Sequence, residues 1–312
     1  MSQPNKPFVI FLMGPTASGK TDLAMQLYDE FNCRLISVDS ALVYRGLDIG
    51  TAKPSVAELH RYPHELINIR EPDQPYSASA FRDDALRHIE LAFEAGEIPV
   101  LVGGTMLYFK TLMQGIADLP SADEALRKDI DEQAEKLGWP AMHAELATFD
   151  SASAARIKPK DSQRLQRAIE VYRLTGKTLT EYFAEQHESA FQYPVLSLAV
   201  SPPDRAILRE RIKQRLQNMF DDGFIDEVKS LLENNGYSRE LPALRSVGYR
   251  QIVDYLYGDC DEQMMHEKAV TATARLAKRQ MTWLRSWPKV VWLESDNKNN
   301  MSIIKQQMAT YF

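Results

Sequence analysis

Cysteine is scarce in this sequence, with two residues, Cys33 and Cys260, among 312. Two cysteines cannot build a disulfide framework or a cysteine-rich zinc site. Long apolar runs are also missing, since the strongly apolar stretch near the start, residues 8–13, is far too short to cross a bilayer. The charged start and small-residue cleavage site of a secretory signal are lacking as well. We therefore expect a protein of the reducing cytoplasm with no membrane partner.

The sequence has no excess of positive charge, and its net charge of −6 argues weakly against a nucleic-acid partner. Two segments depart from this average. Residues 156–167 hold Arg156, Lys158, Lys160, Arg164 and Arg167 against the single acid Asp161. Residues 269–293 have no acidic side chain and five basic ones, Arg275, Lys278, Arg279, Arg285 and Lys289. Because local patches set the field that a polyanion meets, RNA stays an allowed partner.

Apolar runs and periodicities alternate along the first part of the chain. Short apolar runs at 7–13, 34–38 and 98–102 predict buried strands, and helical spacing of apolar residues separates them, as in Phe81, Ala85, Ile89 and Phe93. From 121 to about 186 the segments are charged and helical. A returning strand at 193–200, four long helices at 203–220, 224–235, 248–257 and 261–285, and a strand at 289–293 follow. We predict an α/β core with a mainly parallel sheet, formed by 1–120 and 190–312, and a helical insertion at 121–189.

A glycine-rich turn follows the first predicted strand and precedes the first predicted helix. Its residues match G-x-x-x-x-G-K-[ST] at every required position: Gly14, Pro15, Thr16, Ala17, Ser18, Gly19, Lys20 and Thr21. Backbone N–H groups and the helix N-terminus of such a loop cradle phosphate, while Lys20 adds charge and Thr21 a hydroxyl for Mg²⁺. The pattern predicts a core like that of P-loop NTPases that binds a di- or triphosphate. It does not by itself indicate ATP hydrolysis.

Asp39 follows the second predicted strand, at the sheet edge where α/β proteins bind ligands. The sequence alone is compatible with three roles for its carboxylate. These are to hold Mg²⁺ through water, to accept a proton from a nucleophile, or to cap a turn, since Asp-Ser is favourable turn sequence.

The segment that begins at Asp39 carries a more specific pattern. It reads DSALVYRGLDIGTAKP from Asp39 to Pro54, and Gly103-Gly104-Thr105-Met106-Leu107-Tyr108 follows the third strand. Further motifs run in order to the end of the chain: DSQRLQRAIEV at 161–171, Gly223-Phe224 with Glu227-Val228, SVGYRQ at 246–251 and AKRQMTWLR at 277–285. This set resembles the tRNA dimethylallyltransferase family, the isopentenyl-diphosphate:tRNA transferases, across nearly the whole chain. One departure is Leu42, where many members have glutamine.

The resemblance implies a reaction and roles for individual residues. The family transfers a dimethylallyl group from dimethylallyl diphosphate to N6 of the adenosine that follows the anticodon, position 37 of tRNA, and releases diphosphate. The phosphate loop, Thr21 and Mg²⁺ then stabilise the leaving diphosphate, with Arg215 as an additional cation. Asp39 matches the general base of the family, and Thr16 and Thr105 orient the diphosphate and Asp39. A threonine after Gly-Gly is also a common helix N-cap.

The resemblance further implies contacts with the anticodon stem-loop of tRNA, whose target base is flipped into the site. Arg127 of the insertion and Arg245 are expected to contact the RNA, and we expect Trp283 and Trp287 to pack a helix onto the core rather than to stack on bases. A monomer is expected. The other expected tRNA contacts are Asp39, Ser40, Ala41, Leu42, Thr105, Gln163, Arg164, Leu165, Gln166, Arg167, Ser246, Val247, Gly248, Tyr249, Arg250, Lys278, Arg279 and Gln280.

Three other functions use part of the same pattern. A small-molecule kinase of the phosphate-loop type needs the loop and Asp39 alone. An isopentenyltransferase that modifies free adenine nucleotides shares the loop and the base but has less use for the basic C-terminal helices. An RNA-binding protein without turnover is the third, and intact Lys20, Thr21 and Asp39 argue against it.

Overall fold

The computed structural model describes residues 7–117, 119–185, 191–233 and 235–311. By their internal contacts the residues form two compact units, Met1–Leu112 with Gln192–Phe312, and Met113–Phe191. The sequence places the insertion at 121–189, of which residues 186–189 lie outside the described part of the chain.

A six-stranded sheet organises the larger unit, with the order β3-β2-β4-β1-β5-β6 and parallel pairing throughout. Its strands are β1 (Val9–Met13), β2 (Cys33–Val38), β3 (His64–Glu65), β4 (Ile98–Gly103), β5 (Val195–Ser201) and β6 (Val290–Glu294). Every residue of β1 and β4 is buried, which explains why these strands are continuous apolar runs instead of alternating ones. The α/β class with a mainly parallel sheet is confirmed.

Helices make up most of the remaining described chain. They are α1 (Lys20–Glu30), α2 (Val56–Arg61), α3 (Ala78–Glu94), α4 (Met106–Gln114), α5 (Glu124–Leu137), α6 (Trp139–Phe149), α7 (Ser151–Arg156), α8 (Ser162–Thr175), α9 (Leu179–Glu185), α10 (Arg205–Asp221), α11 (Phe224–Glu233), α12 (Tyr249–Leu256), α13 (Glu262–Arg285) and α14 (Asn300–Met308). The four long helices predicted after the fifth strand correspond to α10 to α13. The sequence analysis missed α2 and β3, because a six-residue helix without a buried side chain and a two-residue strand leave no periodicity.

Two of the hydrophobic clusters in the larger unit bear on the position of the site. The first joins one face of the sheet to α1 and α14, for example Leu12 with Leu27 and Ile304. The second joins the C-terminal helices to the segment after β2, and its largest fully buried side chains are Phe224 and Tyr249. Because this second core packs against the segment after β2, it determines where that segment runs.

The smaller unit has a core of its own, built from α5 to α9 around Ile130, Leu146 and Ile169. It contains no strand in its described residues, as predicted. A fully buried carboxylate, Glu170, lies among these helices and accepts hydrogen bonds from Arg127 at 2.8 Å and Arg167 at 2.7 Å. Burial alone would raise the pKa of Glu170, but the bonds from Arg127, Arg167 and the Asp123 amide outweigh it and hold that pKa below its usual value.

None of the helices in the described residues is both long enough and apolar enough to cross a membrane.

Candidate active site

Three neighbouring strands of the sheet end at the same edge. The order β2-β4-β1 places the loop after β1, Asp39 after β2 and Thr105 after β4 side by side. Carboxyl ends of parallel strands meet at one edge, so these three sequence motifs come together although 91 positions separate Gly14 from Thr105.

The phosphate loop requires glycine at two of its positions. A Cβ on Gly14 would lie 2.5 Å from the Val200 carbonyl oxygen, and Gly19, the residue before α1, has a φ of +81°. The loop therefore curls against β5 and turns directly into the N-terminus of α1, whose free N–H groups and dipole favour an anion. Lys20 folds back and donates a hydrogen bond to the Pro15 carbonyl at 2.8 Å.

Lys20, Arg215 and Asp39 form the charged centre of this edge. Burial lowers the pKa of Lys20 to about 8, with the Arg215 charge acting in the same direction and the Asp39 carboxylate opposing it. Burial also lowers the pKa of Arg215, again against the attraction of Asp39. Two cations and one anion thus share a poorly hydrated site, which leaves an excess positive charge for a ligand to neutralise.

Asp39 is held by its own backbone. Its Oδ1 accepts hydrogen bonds from the amides of Ala41 at 2.8 Å and Leu42 at 3.2 Å. The Thr105 hydroxyl accepts a bond from the Ser40 amide at 3.2 Å, next to Asp39. Asp39 can therefore cap the turn and also act on a ligand, because Oδ1 accepts the turn hydrogen bonds and Oδ2 is left for the ligand.

Gln280 of α13 joins two of the loops. Its Oε1 accepts a hydrogen bond from the Thr16 amide at 2.9 Å, and its Nε2 donates to the Gly104 carbonyl at 2.9 Å. We expect Gln280 to contact tRNA, but its amide group spans the phosphate loop and the loop after β4 in the structure. The side chain therefore holds these loops together.

A cavity of about 520 Å³ opens at this edge. Its polar lining includes Lys20, Thr21, Asp39 and Arg215. Further lining residues among those predicted from the sequence are Thr16, Ser40, Ala41, Leu42, Thr105, Arg245, Ser246, Val247, Tyr249, Arg279 and Gln280. The structure thus brings most of the expected site residues of the larger unit to one cavity.

An apolar wall of the cavity was not predicted. Ile212, Leu216 and Met219 of α10 and Leu276 of α13 contribute to it. Their spacing along the helices is the spacing of an ordinary core face, so the sequence offers no signal that part of this face borders a cavity. The wall gives the cavity a polar side and an apolar side, which suits a ligand with a diphosphate and a short hydrocarbon chain.

Trp283 and Trp287, near the C-terminal end of α13, differ in how they pack. Trp287 packs against Phe109 with ring centroids 6.3 Å apart, as expected. Trp283 does not pack into the core: it is 37% exposed and lines the cavity, and the Lys110 ammonium lies 5.7 Å from its ring centroid. The expectation was wrong for Trp283. Because α13 ends at Arg285, Trp287 lies beyond the helix and does not share the helix face of Trp283.

Two of the expected tRNA contacts have fully buried side chains. Leu165 belongs to the core of the smaller unit, and Tyr249 belongs to the second core of the larger unit, where its hydroxyl bonds Glu227. Both side chains therefore pack within the protein. The motif includes consecutive residues, but only some side chains of consecutive residues in a helix point to solvent.

The basic residues of the two predicted clusters have different partners. In the smaller unit Arg164 pairs with Asp161, Arg167 and Arg127 pair with Glu170, and Gln166 donates to Asp131, while Gln163 is exposed. Near the end of the chain, Arg275, Lys278, Arg279, Arg285 and Lys289 are all exposed and make no ion pair within the described residues. Arg245 pairs with Glu240, Arg250 is exposed, and Gly248 is buried.

The residues at the cavity fit Mg²⁺ only together with a ligand. The described residues contain no cluster of three His, Cys, Asp or Glu side chains that could hold a metal. Mg²⁺ is commonly bound by one or two protein oxygens and substrate phosphates, with water completing its shell. Thr21 is an exposed residue that lines the cavity, and the buried Ser37 hydroxyl at the cavity has no hydrogen-bond partner in the described residues, so oxygen donors are available.

The fold and the site together define a phosphate-loop α/β protein whose loop, strand-end carboxylate and half-buried arginine face one cavity. A sequence model of the IPP transferase family matches residues 42–287. The chain belongs to this family. It is 52% identical to tRNA dimethylallyltransferase 2 of Hahella chejuensis, over 97% of both chains.

Solved structures show the same likeness. The tRNA isopentenylpyrophosphate transferase of Bacillus halodurans is 32% identical with a TM-score of 0.71, over 98% of this chain and 97% of that one. The Staphylococcus epidermidis tRNA delta(2)-isopentenylpyrophosphate transferase is 33% identical with a TM-score of 0.69, over 98% of both chains. A eukaryotic dimethylallyltransferase acting on tRNA is 25% identical with a TM-score of 0.79, over 97% of this chain and 78% of that one.

Proposed function

We propose that this protein transfers a dimethylallyl group from dimethylallyl diphosphate to N6 of adenosine 37 in tRNA and releases diphosphate. One observation carries the proposal: in a member of the IPP transferase family, the phosphate loop, Asp39 and Arg215 line one cavity that also has an apolar wall. That arrangement holds the two ends of dimethylallyl diphosphate and leaves a carboxylate for the nucleophile.

In the proposed reaction the N6 nitrogen forms a bond to C1 of the dimethylallyl group while the C1–oxygen bond to diphosphate breaks. The bonding electrons leave with the diphosphate, which the phosphate loop, Lys20 and Arg215 stabilise as its charge grows. N6 is a weak nucleophile because its lone pair is delocalised into the adenine ring. Asp39 accepts its proton through Oδ2, since Oδ1 is engaged by the Ala41 and Leu42 amides.

Mg²⁺ is part of the proposal. Thr21 would hold it together with oxygens of the diphosphate, and the ion would neutralise charge on the leaving group. Thr105 helps to place Asp39 through the Ser40 amide, and Thr16, which lines the cavity, would orient the diphosphate.

For tRNA, we propose that the cations of residues 275–289, which are exposed and make no ion pair with the described part of the chain, bind the phosphates of the anticodon stem-loop. The cavity residues Ser40, Ala41, Leu42 and Ser246 to Val247 then surround the flipped target base. Gln163 and Arg164 of the smaller unit add contacts, and Arg127 and Arg167 would have to leave Glu170 at least in part to do so. We further propose that the protein acts as a monomer in the cytoplasm.

The proposal is tested with purified protein, Mg²⁺, dimethylallyl diphosphate and an unmodified tRNA with an A-rich anticodon loop, with AMP replacing tRNA in a parallel reaction. Mass spectrometry of nuclease digests should find one added five-carbon isoprenyl unit on adenosine of the tRNA. Equal transfer to AMP would favour a free-nucleotide enzyme. Transfer to neither, with ATP consumed by a small metabolite, would favour a kinase, and tRNA binding without any turnover would indicate an RNA-binding protein.

The tRNA surface makes a separate prediction about salt. Lys278→Ala should weaken tRNA binding and reduce the slope of log Kd against log salt by about one, because one fewer counterion is released. Lys229→Ala is the matched control, since Lys229 is exposed on α11 and does not line the cavity. Binding measured by filter retention from low to moderate salt checks this, and an unchanged slope in Lys278→Ala would remove Lys278 from the interface.

A further inference from the structure

The segment after β2 forms part of the cavity wall without being a helix or a strand. Residues 45–54 run in turns, and Gly50, Thr51 and Pro54 line the cavity. Such a segment keeps its position only through contacts with other elements. Lys53 makes one such contact set, donating from its ammonium to Tyr44, Asp48 and Asn68.

A second set of contacts centres on Glu227 of α11. Its Oε2 accepts hydrogen bonds from the Asp48 amide at 3.0 Å and the Ile49 amide at 2.6 Å, and its Oε1 accepts one from the Gly50 amide at 3.2 Å. The Tyr249 hydroxyl donates to the same Oε1 at 2.5 Å. Three consecutive peptide N–H groups therefore point at one carboxylate, which is a charge-assisted arrangement.

Close packing supports the same geometry. A Cβ on Gly50 would lie 2.0 Å from the ring of Phe224, so the peptide of Gly50 lies directly on the start of α11. Only a glycine allows this approach, and it brings the Gly50 amide within reach of Glu227 one turn along the same helix.

The next residue connects this segment to the charged centre. The Thr51 carbonyl accepts a hydrogen bond from Arg215 Nη2 at 3.2 Å. Arg215 lies on α10 and lines the cavity beside Asp39, and it is desolvated there. The carbonyl of Thr51 is thus a protein hydrogen-bond partner of the guanidinium, and this bond leaves the other N–H groups of Arg215 for a ligand.

We propose that Glu227 is a positioning residue for the leaving-group arginine: by binding the amides of residues 48–50 it places the Thr51 carbonyl, and this carbonyl aims Arg215 at the diphosphate. The inference rests on the proposed function, in which Arg215 stabilises the departing diphosphate. Glu227 itself does not touch the substrate, so its effect on the reaction passes through Arg215.

A double-mutant cycle tests this route. Glu227→Gln removes the charge and leaves one acceptor oxygen for four donors, so kcat should fall by about tenfold in the otherwise unchanged protein. Arg215→Ala alone should lower kcat by about a hundredfold or more. In the Arg215→Ala background Glu227→Gln should lower kcat by less than about twofold, because the group that it positions is gone. An equal fold-loss in both backgrounds would overturn the inference and leave Glu227 a structural residue.

Two further variants keep the test decisive. Tyr249→Phe removes one donor from the Glu227 carboxylate and keeps the three backbone bonds, so a smaller kcat loss that also disappears in Arg215→Ala is expected. It replaces Glu227→Gln if that variant does not fold, and an equal fold-loss in both backgrounds would overturn the inference here too. Asp226→Asn is the control, since this neighbouring carboxylate is exposed and outside the cavity, and its kcat should be unchanged.

The same measurements distinguish a failure of the proposed function from a failure of the positioning role of Glu227. A wild-type protein that makes no prenylated tRNA overturns the proposed function and the inference with it. A wild-type protein that makes the product, together with losses that multiply across the cycle, overturns the inference alone.

Discussion

Asp39→Asn should lower kcat for tRNA prenylation by about two to four orders of magnitude, the usual contribution of a general base, while tRNA binding stays within about twofold. Asparagine keeps an oxygen that accepts the Ala41 and Leu42 amides, so the turn is preserved and only the proton acceptor is lost. Single-turnover kinetics at saturating dimethylallyl diphosphate measure the chemical step, and filter binding measures the tRNA affinity.

The charge of Asp39 provides an internal control for this variant. Among the described residues, Asp39 is the anion whose charge acts on both Lys20 and Arg215, and it repels a bound diphosphate. Its neutralisation should therefore leave the affinity for dimethylallyl diphosphate unchanged or make it tighter. A loss of kcat below about tenfold would exclude the base role, and a parallel loss of tRNA affinity would show that Asp39 is structural.

The affinity for dimethylallyl diphosphate should fall as the pH rises above about 8. Burial, reinforced by Arg215, lowers the pKa of Lys20 to about 8 in the free protein, and only the ammonium form attracts the diphosphate. The bound anion raises the pKa of Lys20 again. At a pH between the pKa of the free protein and that of the complex, binding therefore takes up one proton. In that range log Kd increases by about one per pH unit. Calorimetry between pH 7 and 9.5, in buffers of different ionisation enthalpy, measures both the affinity and the proton uptake.

Two substitutions of Lys20 test the cause. Lys20→Arg keeps a charge that does not titrate in this range, so the affinity, though weaker, should be flat with pH. Lys20→Met removes an ammonium group whose burial destabilises the folded protein. The pKa of Lys20 in the folded protein, about 8, lies below its value of 10.5 in the unfolded chain, which shows this destabilisation. The thermal stability of Lys20→Met at pH 7 should exceed that of the wild type, and this advantage should shrink between pH 8 and 10.5 as the wild-type lysine loses its proton in the folded state. A wild-type affinity that is flat up to pH 9.5 would contradict the lowered pKa.

Much of the molecule follows from local sequence. The apolar runs of β1, β2 and β4 have to be buried, and the helices between them leave a parallel sheet as the consistent arrangement. The phosphate loop depends on glycines and on a helix that follows at once, and its motif occupies eight consecutive residues, 14–21. Asp39 and Thr105 could be assigned to the same edge because parallel strands end together. The motifs from Asp39 to Arg285 identified the family because each one consists of residues that are close together in the sequence.

The remaining features depend on contacts between distant residues. Gln280 reaches Thr16 and Gly104, and Glu227 reaches the amides of residues 48–50, only because α11 and α13 pack at particular angles against the segments that follow the strands. Helical periodicity reports which face of a helix is covered but not what covers it, so Leu216 was indistinguishable from an ordinary core residue and Trp283 from a packed one. The sequence by itself determined the α/β class with a mainly parallel sheet, the phosphate loop and the family. The tertiary structure decided which side chains face the cavity and which hold its walls, because both depend on packing between elements far apart in the chain.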